Sequence, residues 1–233
     1  GHDWLAYGWL DGESDFSGID VNLAHDGNMG YDGGVMGFDL EGNGIFWDEI
    51  SSIEEVWGTR YGDDFTGDNA DNIFAGMGGQ DVYEGRGGND TFIIASADSV
   101  DTILDFSSQA GDNDVLKFLE ADHLGFEAQG SSLFAHASDQ STIDSSSAKI
   151  IGVDTMVSGD WSDVTDVINS AVNASADDSA YMIVSNGTDA RAYYWQGDVD
   201  GNSQVDQSEL TQLADVNTVA DVSDLDQDNF QIA

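Results

Sequence analysis

The chain has 233 residues, 46 of them Asp or Glu against 5 Lys or Arg, a formal net charge of −41. That balance excludes nucleic acid and anionic membrane as natural partners, since both are bound through basic surface. Cysteine is absent, which rules out disulfides and thiolate metal sites, and no apolar run reaches the roughly 20 residues of a membrane-spanning helix.

In chain order, Gly1-His2 resembles an expression remnant, and the abrupt start at Asp3 reads as a fragment of something longer, without a cleavable signal peptide. Residues 3–57 are Gly/Asp-rich and carry short apolar alternations: FSGIDVNL (16–23), VMGFDL (35–40) and GIFWDEI (44–50). We expect 3–57 to form degenerate early coils of the repeat that follows, with 26–44 as an inserted loop. The nine-residue register, extended backwards from Phe65, passes through Val56, Trp47 and Phe38. Trp4, Tyr7, Trp9, Trp47 and Trp57 gather in this region; they read as a cap on the open end of a solenoid or as an aromatic platform for a ligand.

From residue 58 a glycine returns every ninth position: Gly58, Gly67, Gly76 and Gly85. Five positions after each stands Asp63, Asn72, Asp81 or Asp90, and seven after each stands Phe65, Phe74, Tyr83 or Phe92. Such a nonapeptide is the signature of a calcium-binding parallel β-helix. Six residues make a glycine-assisted half-turn and three make a strand whose middle ring points inward. A single unit cannot bury its ring, so coil must stack on coil. Units two apart share a side, which pairs Asp63 with Asp81 and Asn72 with Asp90. Stacked carboxylates repel unless a cation lies between them, and oxygen-only donors suit Ca²⁺. Tyr61 and Ala70 replace the second structural glycine of the first two units, and Asn72 replaces an aspartate. Two strong and two or three weaker calcium positions are therefore expected.

ADSVDTILDF (97–106) breaks the period, with Asp101 and Asp105 near the last turn, and DNDVLKF (112–118) reads as a capping strand. Residues 119–148 are Ser/Ala/Gly-rich. KIIGV (149–153) reads as a strand, and DWSDVTDVINSAV (160–172) as a helix with Trp161, Val164, Val167, Ile168 and Val172 on one face. AYMIVSN (180–186) and ARAYYWQ (190–196) form a hairpin around Gly187-Thr188-Asp189. In DVDGNSQVDQSE (198–209), Asp198, Asp200, Asn202, Gln204, Asp206 and Glu209 occupy positions 1, 3, 5, 7, 9 and 12 of an EF-hand-like loop. Ser203 stands where that loop has its glycine, a strand leads in, and SELTQLADV (208–216) is expected to leave as a helix.

No HExxH helix and no GxSxG elbow occurs, and His2, His25, His123 and His136 are scattered, so no catalytic role is expected.

The repeats, best seen in GMGGQDVYE (76–84) and GRGGNDTFI (85–93), resemble the RTX (repeats-in-toxin) repeats of proteins exported by bacterial type I secretion. SSIEEVWGT (51–59) resembles the strand that leads into such repeats, and 97–106 the strand that closes them. The resemblance implies a mainly β fold: a parallel β-roll over 3–118, with repeats at 58–93 and closing strands at 97–118, then an α+β cap over 119–233. It implies several Ca²⁺ ions, held by Gly58, Asp63, Asn72, Gly76, Gly78, Asp81, Gly85, Gly87, Asp90 and Asp101 or Asp105. A separate site is implied at Asp198, Asp200, Asn202, Gln204 and Glu209. The implied function is a calcium-triggered folding and export module of a secreted or cell-surface protein, monomeric and handled by the type I secretion machinery. The tail 219–233 lies where an uncleaved export signal is found. Two other readings stand beside it: an adhesin module gripping a surface glycan or peptide, and an accessory module of a secreted enzyme. RTX-linked self-processing cuts at Asp-Pro, which a chain without proline lacks.

Overall fold

In the computed structural model, residues 2–13, 15–24, 33–119, 132–137, 143–144, 148–153, 157–174, 179–219 and 221–233 are described. His25 and His123 lie outside them, as does most of 119–148. The described chain is mainly β with one α-helix, and it divides into two compact units, Gly1–Leu119 and Glu120–Ala233.

The first unit combines three seven-residue strands with a series of strands of three or four residues. They are β1 (Trp4–Ala6), β2 (Phe16–Asn22), β3 (Gly33–Asp39), β4 (Gly44–Ile50), β5 (Glu55–Trp57), β6 (Asp64–Thr66), β7 (Ile73–Ala75), β8 (Val82–Glu84), β9 (Thr91–Ile94) and β10 (Asp101–Ile103). The small hairpin β11 (Ser108–Gln109) and β12 (Asp112–Asn113) follows, then β13 (Val115–Phe118). Successive repeat strands alternate between two sheets. One runs β1-β5-β7-β9-β13, all parallel, and aligns Leu5, Val56, Phe74, Phe92 and Leu116. In the other, β2, β6, β8 and β10 are parallel and align Val21, Phe65, Tyr83 and Ile103. The rings meet between the sheets, Phe65 on Tyr83 at 5.2 Å and on Phe74 at 5.4 Å. Phe65, Phe74, Tyr83 and Phe92 are essentially fully buried, the interior that the nine-residue spacing of rings predicts.

The half-turns use left-handed backbone at two positions. Gly79 and Gly88 have φ of 91° and 119°, but so do non-glycines just before them, Met77 at 81° and Arg86 at 70°. A side chain in that region costs about 1–2 kcal/mol. Arg86 is exposed, so Arg86→Gly is expected to raise stability by about 0.5–1 kcal/mol after the added chain entropy; denaturant unfolding checks it.

The region before the repeats departs from the expected coils. β2 joins the parallel sheet, yet β3 and β4 turn back on it as an antiparallel meander. Residues 33–39 of the expected 26–44 loop are thus strand, and the backward register ends at Val56. Trp47 is 50% exposed on β4 and Phe38 pairs with Gly44. The reason lies in strand length: the alternations here run seven residues, long enough for a hairpin, whereas a repeat strand runs three. Phe46 of β4 stacks on Tyr7 at 6.1 Å and Phe16 at 6.5 Å, closing over that end of the core.

The second unit holds a mixed sheet of β14 (Ser132–Ala137), β16 (Ala148–Val153), β18 (Ala180–Ser185), β19 (Ala190–Trp195) and β20 (Leu210–Val216), with β15 (Ile143–Asp144) paired to β17 (Val172–Asn173) and β21 (Phe230–Ile232) last. β18 is buried along its whole length, as a central strand covered on both faces must be. The helix α1 (Val164–Ala171) buries Val164, Val167, Ile168 and Ala171 in a core with Ile151, Met182, Tyr193, Trp195 and Val205. α1 is shorter than predicted. Ser158, Asp160 and Ser162 hydrogen-bond one another, and Trp161 has φ of 62°. Short polar side chains here take the backbone's place as partners and keep the first turn out of the helix. Trp161 instead carries Arg191 over its ring at 4.3 Å.

Candidate functional site

The turn aspartates form two ladders, one on each side of the strand stack. On one side the Asp63 N–H donates to Asp81 Oδ1 (2.9 Å) and the Asp81 N–H to Asp101 Oδ1 (3.1 Å). On the other the Asn72 N–H donates to Asp90 Oδ1 (2.8 Å) and the Asp90 N–H to Asp114 Oδ1 (2.9 Å). The structure thus brings together the residues paired by spacing, Asp63 with Asp81 and Asn72 with Asp90, and adds Asp101 and Asp114 as end rungs. Asp105 lies elsewhere: it accepts from the Gly85 and Arg86 N–H groups and caps that turn.

The repeat glycines leave room for these carboxylates. A Cβ on Gly76 would lie 1.9 Å from Asp81 Oδ2, and one on Gly85 2.3 Å from Asp90 Oδ2. Gly58 faces Asp63 in the same way, whereas Gly78 and Gly87 meet nothing so close. Thr59 adds its N–H and hydroxyl to Asp63.

Every rung is buried: Asp63, Asn72, Asp81 and Asp90 are each 1% exposed. Burial pushes Asp63 up from the ordinary 3.8 to about 7 and Asp101 to about 7, against the hydrogen bonds they accept. Burial, then the charges of Asp101 and Asp63, pushes Asp81 to about 10. Asp90 rises to about 8 and Asp114 to about 6, also chiefly through burial. At neutral pH this row needs protons or a cation. In the structure these carboxylates accept backbone N–H groups of the neighbouring turn, and among the described residues only Asp198, Asp200 and Glu209 bring three acidic ligand oxygens together. Asn72 interrupts its ladder: Oδ1 accepts from the Asp68 N–H, while Nδ2 is buried without a partner. A donor there offers a cation nothing.

Sequence reading missed Asp114, Thr59 and the Tyr83 hydroxyl, which accepts from the Gly76 N–H at 3.0 Å and bonds the Asp81 carboxylate. For Asp114 a signal existed. It immediately precedes β13 as Asp90 precedes β9, but the β11–β12 hairpin widens the spacing to 24 residues and hides the repeat.

The second site is the loop between β19 and β20. Ligand oxygens of Asp198, Asp200 and Glu209 lie within 4.8 Å of one another. Asp198 is tied down by the Gly201, Asn202 and Ser203 N–H groups at 2.7–3.0 Å. Glu209 accepts from the Val199 N–H and from Trp195 Nε1. Asn169 of α1 clamps Val205 through both backbone groups. Asn202 bonds Asp200 and Asp206, and Gln204 is exposed. Ser203, in the glycine position, does adopt φ of 62°. The exit differs from expectation: a 3-10 turn at Gln207–Glu209 leads into the strand β20, which takes the open edge of β19. Leu210, Ala214 and Val216 also alternate at strand period, and pairing with β19 decides between the two readings.

Asp200 is exposed and bonds only Asn202, so Asp200→Asn is expected to weaken cation binding at this loop about tenfold while leaving thermal stability without the cation unchanged; calorimetric titration checks both.

No protein-family model matches the chain, and a search of curated proteins finds no match either. Among the described residues no helix is long and apolar enough to cross a membrane.

Proposed function

We propose that the chain is a calcium-binding module whose folding is driven by calcium: an RTX-type β-roll followed by an α+β unit with its own calcium loop. The observation that carries this is the burial of five turn aspartates, Asp63, Asp81, Asp90, Asp101 and Asp114, at the faces of the stacked coils. Buried carboxylates without a counter-charge oppose folding, and a cation that binds only the folded state reverses the balance. A site held at about 100 times its Kd adds roughly 2.7 kcal/mol, so several together exceed the stability of an ordinary domain. The charge of −41 acts in the same direction, because self-repulsion keeps a calcium-free chain open.

That behaviour suits type I export of an unfolded chain from a calcium-poor cytoplasm, followed by folding outside the cell or at its surface. The role is non-enzymatic. Isothermal titration of the calcium-stripped chain tests it: several Ca²⁺ equivalents bound with Mg²⁺ inert support the reading, and binding at the 198–209 loop alone removes the β-roll from it.

A further inference from the structure

Among the described residues β4 ends its sheet, with β3 as its one strand neighbour, so every second residue turns its N–H and C=O away from the described strands. Seven-residue edges are normally blunted by lysine, proline or a bulge facing out. Gly44–Ile50 contains neither Lys nor Pro; its charges are Asp48 and Glu49, both acidic, and its one pairing irregularity with β3 lies at the Gly44 end. Its outer face carries Ile45 and Trp47, 52% and 50% exposed, followed by the exposed Glu49, and the Trp47 ring lies against Gly34, where a Cβ would fall 2.1 Å from it.

At the Gly44 end of β4, where β2 starts and β3 ends, is a cleft of about 300 Å³ lined by Leu10, Glu13, Asp15, Phe16, Asp39 and Ile45. Ile45 belongs to both edge and cleft. Leu10 and Phe16, both buried, and the exposed Ile45 are its apolar lining, and the other three residues are carboxylates. Asn43, through side chain and backbone, and the Glu41 N–H hold the Asp39 carboxyl below its usual range, so it stays charged.

We propose that the edge of β4 and this cleft dock an extended polypeptide segment bearing Lys or Arg, added as a further strand. Main-chain hydrogen bonds to β4 supply the register. The aliphatic stem of a basic side chain lies on Leu10, Phe16 and Ile45 while its charged head reaches Glu13, Asp15 and Asp39. Charge selects the occupant. A second copy brings another −41, and a neutral glycan can hydrogen-bond the carboxylates through its hydroxyls but gains nothing from the net charge, whereas a basic strand is attracted from a distance. The inference is independent of the calcium reading, because it needs only the folded chain.

The test is fluorescence anisotropy on the folded full chain at about 0.15 M salt. Three labelled nonapeptides serve as probes: alternating Lys/Val, alternating Glu/Val, and a Lys peptide of equal charge with proline in place of valine. The Lys/Val peptide is expected to bind at least tenfold tighter than either other. Ile45→Lys, an exposed change judged folded by circular dichroism, is expected to lose that tenfold preference. Equal binding of the proline peptide would reduce the effect to bulk charge attraction and overturn the proposal. An unchanged Ile45→Lys variant overturns it too, as does no binding of the Lys/Val peptide at about 1 mM. A dimer that Ile45→Lys dissociates assigns the edge to a second copy instead, and glycan binding lost with Trp47→Ala assigns it to a sugar; either result overturns the proposal.

Discussion

Calcium-free protein will become more stable as pH falls from 8 towards 5, the reverse of ordinary acid denaturation. Asp63, Asp81, Asp90, Asp101 and Asp114 are all pushed above the ordinary 3.8, to about 7, 10, 8, 7 and 6, chiefly by burial. A carboxyl with a raised folded-state pKa contributes its stability fully below the unfolded value near 4, and that contribution is lost as pH rises through the folded value. The window is therefore about pH 4 to 8, with Asp81 reaching higher. Asp63 alone represents on the order of 4 kcal/mol between pH 4 and 7. Under the proposed calcium-driven folding, saturating calcium is expected to reverse the slope, since an ion at these carboxylates displaces the same protons and binds better as pH rises. Urea unfolding across this range, with chelator and with saturating calcium, measures both slopes. Parallel slopes would show that calcium does not compete with protons for these carboxylates.

Phe74→Ala will cost about 3–5 kcal/mol in the calcium-loaded state, the usual range for emptying a fully packed aromatic position. Its ring touches Phe65, Tyr83 and Phe92 at centroid distances of 5.4, 6.5 and 6.4 Å. Neighbouring rings belong to other strands and cannot collapse into the gap without breaking strand register. The calcium midpoint for folding should rise in parallel, although residue 74 offers no ligand atom, because packing and cation binding stabilise the same state. A variant with a lower stability but an unmoved midpoint would separate the two.

The stack of inward rings and the pairing of turn residues two units apart were legible because one spacing sets both. Nine residues per unit puts Phe65 over Tyr83 and Asp63 beside Asp81. Legibility stopped where that spacing changes. The hairpin at 108–113 displaced Asp114 from the count, and the seven-residue alternations of 16–50 fitted equally a coil strand and a meander. At 210–216 one segment satisfied helical and strand periods alike, and the open edge of β19 decided. The acidic loop at 198–209 was readable from ligand spacing alone; the clamp from Asn169 was not, since it comes from an element distant in sequence.

The most direct test is far-UV circular dichroism of calcium-stripped protein at pH 7.5–8, titrated with Ca²⁺ and separately with Mg²⁺ at concentrations up to about 1 mM. Calcium-driven folding gives a cooperative gain of β-signal with Ca²⁺ and none with Mg²⁺. A chain already fully folded with chelator at that pH, its spectrum unmoved by either ion, would contradict it.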